Sequence, residues 1–327
     1  MNRRELIAGL VVLGGGSGAV WAQPSIRIAR IGFLSLNRAA DASGRGGGFA
    51  LGLSELGYVE GRNIVVEHRD AEARIDRLAA LAAELVALKV DVIVAPSTPA
   101  AQAAMHATST IPIVFAGAAE PVTDGLVASL ARPGGNVTGL SNASADLVGK
   151  RLELLKQAVP RLARVAVLWH PAPGRTYEDM LKSADVAARA LGMQLQPVEV
   201  RASADLDRAF ADMARSGAGA LTVLPIATFF SERKRIIELA ARNRLPAVYT
   251  GRAFVEDGGL MAYGANLSDL LRRAAGYTDR ILKGARPGEL PVEQAIKFEL
   301  VINRGTAKAL GLTITPSVLL SADEVIG

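Results

Sequence analysis

The sequence predicts an α/β protein of two Rossmann-like lobes, each a parallel sheet covered by helices, joined by a hinge. Three observations predict it. The first is an internal duplication. Leu56-Gly57 opens a stretch through "VVEHRD" and "RLAALAAELVALKVDVIVAPSTPA" to "IPIVFAG", and Leu191-Gly192 opens one through "LQPVEVRASAD" and "DRAFADMARSGAGALTVLPIAT" to "LPAVYTG". Leu56 matches Leu191, Arg69 matches Arg201 and Ile111 matches Leu245, so order and spacing are kept over a stretch too long for a solenoid repeat. The second is the alternation of β-branched apolar runs with amphipathic helical patterns, which gives parallel sheets covered on both faces. The third is composition: 327 residues, half of them hydrophobic and only 5% aromatic, are enough for two α/β cores.

In the first half the β-branched runs predict strands near Ile28 to Leu34, Ile64 to His68, Asp91 to Ala95, Ile113 to Ala116 and Val137 to Leu140. Between them, Glu72 to Leu88 predicts a helix with Ile75, Leu78, Ala79, Ala82, Leu85 and Val86 on one stripe. The first helix carries Gly44, Gly46, Gly47 and Gly48, each costing roughly 1 kcal/mol relative to Ala in a helix interior, so it is expected to begin near Gly48. "ARPGGNVTGLSNAS" supplies turn residues at the junction of the halves. In the second half strands are expected near Val165 to Trp169, Gln194 to Val200, Ala220 to Leu224, Ala247 to Thr250 and Leu260 to Tyr263. Helices are expected near Asp146 to Ala158, Tyr177 to Leu191, Ala204 to Arg215, Ser231 to Asn243 and Leu267 to Lys283. Lobe 1 then takes residues 27–141 and about 264–300, and lobe 2 takes 142–263. The chain would cross at Leu140 to Ser144 and again at Tyr263 to Ala265. Residues 301–327 have no counterpart in the repeat and are left without a lobe, although "KFELVIN" reads as a strand and "TAKALGL" as a short helix.

Residues 1–22 read as a secretory signal peptide: Arg3-Arg4, an apolar run from Leu6 to Val20, and Val20-Trp21-Ala22 before Gln23. Arg3-Arg4-Glu5-Leu6-Ile7 fits the twin-arginine variety. The run is Gly-rich and short of the ~20 apolar residues of a comfortable bilayer span. Gly14, Gly16 and Ala19 satisfy a dinucleotide fingerprint, but Pro24 leaves no helix of useful length after it. With no cysteine in the chain, disulfides, a thiol nucleophile and a lipidated cysteine are absent, and the mature protein is expected in the periplasm as a soluble monomer.

The net charge of +5 does not point to nucleic acid, because the arginines are interspersed with carboxylates and form no run among aromatics. His68, His106 and His170 stand apart, without metal-ligand spacing. Neither a G-x-S-x-G elbow nor a Walker A loop occurs in the mature chain, and Glu256-Asp257 is an adjacent acid pair of the kind found in solvated loops. No catalytic residue, metal or cofactor is expected.

Ligand-holding chemistry remains at the strand ends, where parallel α/β sheets bind ligands. Thr98 is expected to cap the helix that follows Pro96-Ser97-Thr98-Pro99, aiming N–H groups and two hydroxyls at a ligand carboxylate. The matching turn, Leu224-Pro225-Ile226, has no hydroxyls. The repeated strand places Phe115, Ala116 and Gly117 on one lobe and Tyr249, Thr250 and Gly251 on the other, with the aromatics able to face ligand or core. Phe33 and Ser35 at the end of the first strand, Trp169, Tyr177 and Tyr263 complete the candidate wall.

"GLSELGYVEGRNIVVEHRDAEARIDRLAALAAELVALKVDVIVAPSTPAAQAA", "STIPIVFAGAAEPVTDGLVASLARPGGNVTGLS", "GKRLELLK" and "FVEDGGLMAYGANLSDLLRRAAGYTDRILKGARPGELPVEQAIKFELVINRGTAKALGLTI" closely resemble the ABC transporter substrate-binding proteins of the tryptophan/tyrosine-type uptake family. The resemblance spans nearly all the mature chain. It implies a type 1 periplasmic-binding fold with about three crossovers, closure on a small carboxylate-bearing ligand such as an amino acid or aromatic acid, no catalysis, and a partner permease with its ATPase. Two departures stand out: Glu120-Pro121-Val122 where the family usually reads "DPV", which adds Glu120 to the cleft rim, and the Gly44 to Gly48 series. The alternatives are a ligand-sensing regulator of the same bilobed fold, which needs a helix-turn-helix of about 60 residues where this chain has its export segment, and a periplasmic enzyme.

Overall fold

The computed structural model describes residues 28–36, 45–72, 74–142, 147–171 and 176–327. The export segment, Gly44 and Asp146 lie outside them.

The first sheet is built from β1 (Ala29–Ser35), β2 (Ile64–Asp70), β3 (Val92–Ala95), β4 (Ile113–Ala118), β5 (Val137–Ser141) and the two-residue β11 (Glu293–Gln294), in the order β11-β5-β4-β3-β1-β2. All its pairings are parallel. The second sheet holds β6 (Arg164–Trp169), β7 (Gln194–Glu199), β8 (Ala220–Val223), β9 (Ala247–Tyr249), β10 (Met261–Ala265), β12 (Phe298–Asn303) and β13 (Glu324–Ile326), in the order β13-β12-β10-β9-β8-β6-β7. Its first five strands in chain order repeat the pattern of the first sheet, and β12 alone runs antiparallel to its neighbour β10. The duplication in the sequence is thus a duplication of sheet topology.

The helices are α1 (Arg45–Glu55), α2 (Leu78–Ala87), α3 (Thr98–Ala107), α4 (Val148–Ala158), α5 (Thr176–Ala190), α6 (Leu206–Arg215), α7 (Ala227–Ser231), α8 (Arg233–Arg242), α9 (Arg252–Glu256), α10 (Leu267–Leu282), α11 (Arg304–Ala309) and α12 (Pro316–Leu320). Predicted and observed elements agree to within a few residues except at α2. Its first predicted turn is a 3-10 turn at Ile75–Arg77. Rotation there leaves Ile75 and Ala79 exposed and brings Leu81 inward beside Leu78, Ala82 and Leu85.

α1 begins at Arg45, earlier than the glycines predict, because they serve packing. Gly48 and Gly52, one turn apart, let α1 lie directly on the backbone of α10. A Cβ at Gly48 would overlap the Ser268 carbonyl, and one at Gly52 the Arg272 carbonyl. α10 buries Leu270, Leu271, Ala274, Ala275 and Tyr277 in the same core as Ile31, Phe33, Val92, Val94 and Val114. It therefore belongs to the first sheet although it follows the second in sequence.

Among the described residues the chain changes sheet at three places: between Asn142 and Leu147, at Asn266, and at 295–297. The second passage falls one residue beyond the predicted Tyr263 to Ala265, which stays within β10. Phe298 to Leu300, assigned by sequence to the first lobe, pair with β10 in the second sheet, and the unassigned C-terminal segment joins the same sheet through β13, which pairs with β12. The last two passages are tied together. Asn266 N–H donates to the Lys297 carbonyl at 3.0 Å, the Asn266 amide donates to Glu299 at 3.1 Å, and Lys297 pairs with Asp269 at 3.1 Å. Arg151, in the first turn of α4, is fully buried and donates from Nε to the Tyr263 carbonyl at 2.7 Å, tying α4 to β10.

Candidate functional site

The carboxyl ends of both sheets face one cavity of about 430 Å³, within the range of small-ligand sites. From the first sheet come Ser35 at the end of β1 and Leu36 after it, Pro96 to Pro99 after β3, and Gly117 and Ala119 at the end of β4. From the second come Pro225 and Ile226 after β8, Phe230 on α7, Thr250 and Gly251 after β9, and Tyr177 on α5. Asn142 and Ala265 stand at the passages between the lobes. A larger and more open hollow of about 570 Å³ beside edge strand β7 is lined by the second lobe alone, on the outer side of its sheet.

Ser97 sits in extended conformation and its hydroxyl accepts from Ala100 N–H at 3.4 Å, with Pro99 in the first turn of α3. Ser97, rather than Thr98, is the helix cap. Thr98 is turned elsewhere: its hydroxyl donates to Asp124 Oδ2 at 3.2 Å. Gln102, one turn along α3, donates to the Asp124 carbonyl at 3.2 Å and pins that loop to the helix. Burial raises the Asp124 carboxyl above the usual carboxylate range, and the Thr98 bond only partly offsets it. Tyr177 is pushed up to about 12, first by burial and then by the charge of Asp124, so it remains a neutral phenol.

Gly117 turns the end of β4 with φ of 89°, which favours glycine, and its carbonyl accepts from the Asn142 amide at 3.1 Å. That bond joins the cavity wall to the first residue of the first passage. Of the expected ligand residues, the structure brings Ser35, Ser97, Thr98, Gly117, Tyr177, Ile226 and Thr250 to the cavity.

The others need correction. Phe33, Phe115, Ala116 and Tyr249 are fully buried in the lobe cores. Phe33 packs on Phe49 and His68, and Tyr249 stacks on Phe254 with ring centroids 4.7 Å apart. Strands covered on both faces give each alternate side chain to one core or the other, so the cleft is lined by residues at or past the strand ends. Trp169 and Tyr263 are half-buried against the second core, and Glu120 lies outside the cavity lining. The Ser97-Thr98 turn lies beside Asp124, whose carboxylate accepts from the Thr98 hydroxyl. Leu36, Gln102, Asp124, Asn142 and Phe230 were not singled out by sequence. Among the described residues no group of three or more His, Asp or Glu side chains could hold a metal.

Two α/β sheets of matching topology, joined by three passages and closing on one cavity, define a bilobed solute-binding protein. The chain belongs to the ABC transporter substrate binding protein family, whose model matches residues 39–326. It is 29% identical over 281 residues to a tyrosine-binding protein of Clostridioides difficile, covering 85% of this chain and 78% of that one. Among solved structures it overlays on an ABC domain from Streptococcus pneumoniae in complex with L-tryptophan with a TM-score of 0.82 and 28% identity, covering 91% of this chain and 99% of that one. The ligand-free, open structure of a substrate-binding protein with adhesive properties from Clostridium difficile gives 0.68 at 27% identity, with 91% and 99% covered. The fold is the two-lobed periplasmic-binding architecture.

Proposed function

We propose that this chain is the periplasmic component of an ABC uptake transporter and captures an aromatic amino acid in the cleft between its lobes. The observation that carries this reading is the cavity itself, whose wall is completed only by residues of both lobes, Ser97 and Asp124 on one side and Tyr177, Ile226 and Thr250 on the other. A ligand seated there holds the lobes together, and its differential affinity for the closed form sets how far the population shifts. The better overlay on the tryptophan complex than on the open, ligand-free relative, at nearly equal identity, supports an arrangement near the closed one. Solute-binding proteins of ABC transporters work outside the cytoplasm, which agrees with export and cleavage before Gln23. The loaded protein then delivers its ligand to a permease driven by an ATPase and catalyses nothing itself.

Calorimetry with L-tyrosine and L-tryptophan tests the reading. Saturable binding of either, without consumption of the ligand, is expected. Binding of neither, with other small solutes bound instead, would remove the amino-acid assignment.

A further inference from the structure

We infer that Asp124 makes the cleft a receptor for a positively charged nitrogen, so that arylalkyl amines lacking any carboxylate bind as well as the corresponding amino acids. This rests on the reading of the chain as an amino-acid binder and narrows it.

Asp124 lines the cavity and, among the described residues, forms no ion pair; its carboxylate accepts from the Thr98 hydroxyl at 3.2 Å and from the Glu120 main-chain N–H. These two neutral donors do not fully compensate a carboxylate that burial has partly stripped of water. Gln102 fixes the Asp124 main chain at 3.2 Å, which holds the carboxylate at the wall rather than letting it swing into solvent. Among the described residues none supplies a counter-charge, and a ligand ammonium would.

The rest of the lining agrees. Among the described residues no lysine, arginine or histidine faces the cavity, so a ligand carboxylate would find only neutral donors such as Asn142 and Thr250. An ammonium would gain a charge-assisted hydrogen bond. The ring of Tyr177 also borders the cavity, and aromatic faces attract cations and repel anions. The Ser97-Thr98 turn, which by sequence alone suits an anion, thus presents a negative charge.

Three probes share one ring and one chain length: tyramine with the ammonium alone, L-tyrosine with both charges, and 3-(4-hydroxyphenyl)propionate with the carboxylate alone. Calorimetry on the wild-type protein should place tyramine within about tenfold of L-tyrosine and the acid at least about tenfold weaker. Asp124→Asn, with folding confirmed by its melting curve, should weaken tyramine and L-tyrosine by about 10- to 100-fold, the range for a hydrogen bond to a charged group, and leave the acid unchanged or improved. An acid that binds wild type as tightly as the amine, or an equal loss of all three in Asp124→Asn, would overturn the inference. If none of the three binds, the aromatic amino-acid reading fails. The charge rule is then decided by thermal shift with unrelated primary amines and carboxylic acids: stabilisation by amines that Asp124→Asn abolishes sustains it, and stabilisation by acids alone overturns it.

Discussion

The Thr98 hydroxyl donates to the Asp124 carboxylate at 3.2 Å, so the turn that opens α3 is joined to a negative charge from the loop after β4. A hydroxyl used in this way no longer serves an incoming anion.

The same pair gives a pH dependence. Burial raises the Asp124 carboxyl, and a raised carboxyl favours the protonated protein. The stabilising contribution is complete below the unfolded value and is lost as pH rises through the folded one. In the ligand-free protein Asp124→Asn should therefore raise the melting temperature at neutral pH, with the gap closing on acidification. Amine binding needs the ionised form and should fail as pH falls through the same raised value. Melting curves and calorimetry from pH 4 to 8 check both; a variant no more stable than wild type at neutral pH would contradict the first.

Gly52 lets α1 rest on α10 where a Cβ would overlap the Arg272 carbonyl. Gly52→Ala improves helix propensity by roughly 1 kcal/mol, but the overlap forces the helices apart. A net destabilisation of about 1–3 kcal/mol is expected from urea unfolding. A stabilised variant would show that the helix contact gives way easily.

Arg151 is buried with both terminal guanidinium nitrogens unpartnered among the described residues, and burial holds it down at about 10, still charged at neutral pH. An unpaired buried charge is costly, and an apolar side chain of similar volume relieves that cost. Arg151→Met should stay within about 1 kcal/mol of wild type or exceed it, while Arg151→Ala, which leaves a cavity, should lose about 2–5 kcal/mol. Denaturant titrations of the pair separate charge from volume; equal losses in both would make the Tyr263 bond the dominant contribution.

Much of the fold was legible because each lobe repeats the other and its strands are continuous β-branched runs. The same runs hid which face each side chain takes. Phe115 and Tyr249 lie in strands buried on both sides, so no polar alternation marked them as core rather than cleft. Asp124 lies in an aperiodic stretch between β4 and β5, and its role comes from Thr98, 26 residues away. The glycines of α1 looked unfavourable locally because the helix that needs them, α10, comes more than 200 residues later.

The central claim, capture in the interlobe cleft by closure, is tested most directly by small-angle X-ray scattering with and without a saturating ligand found by calorimetry. Asn142, Asn266 and residues 295–297 should let the lobes approach, and the radius of gyration should fall on binding. An unchanged radius at independently confirmed saturation would contradict closure and leave a rigid pocket in its place.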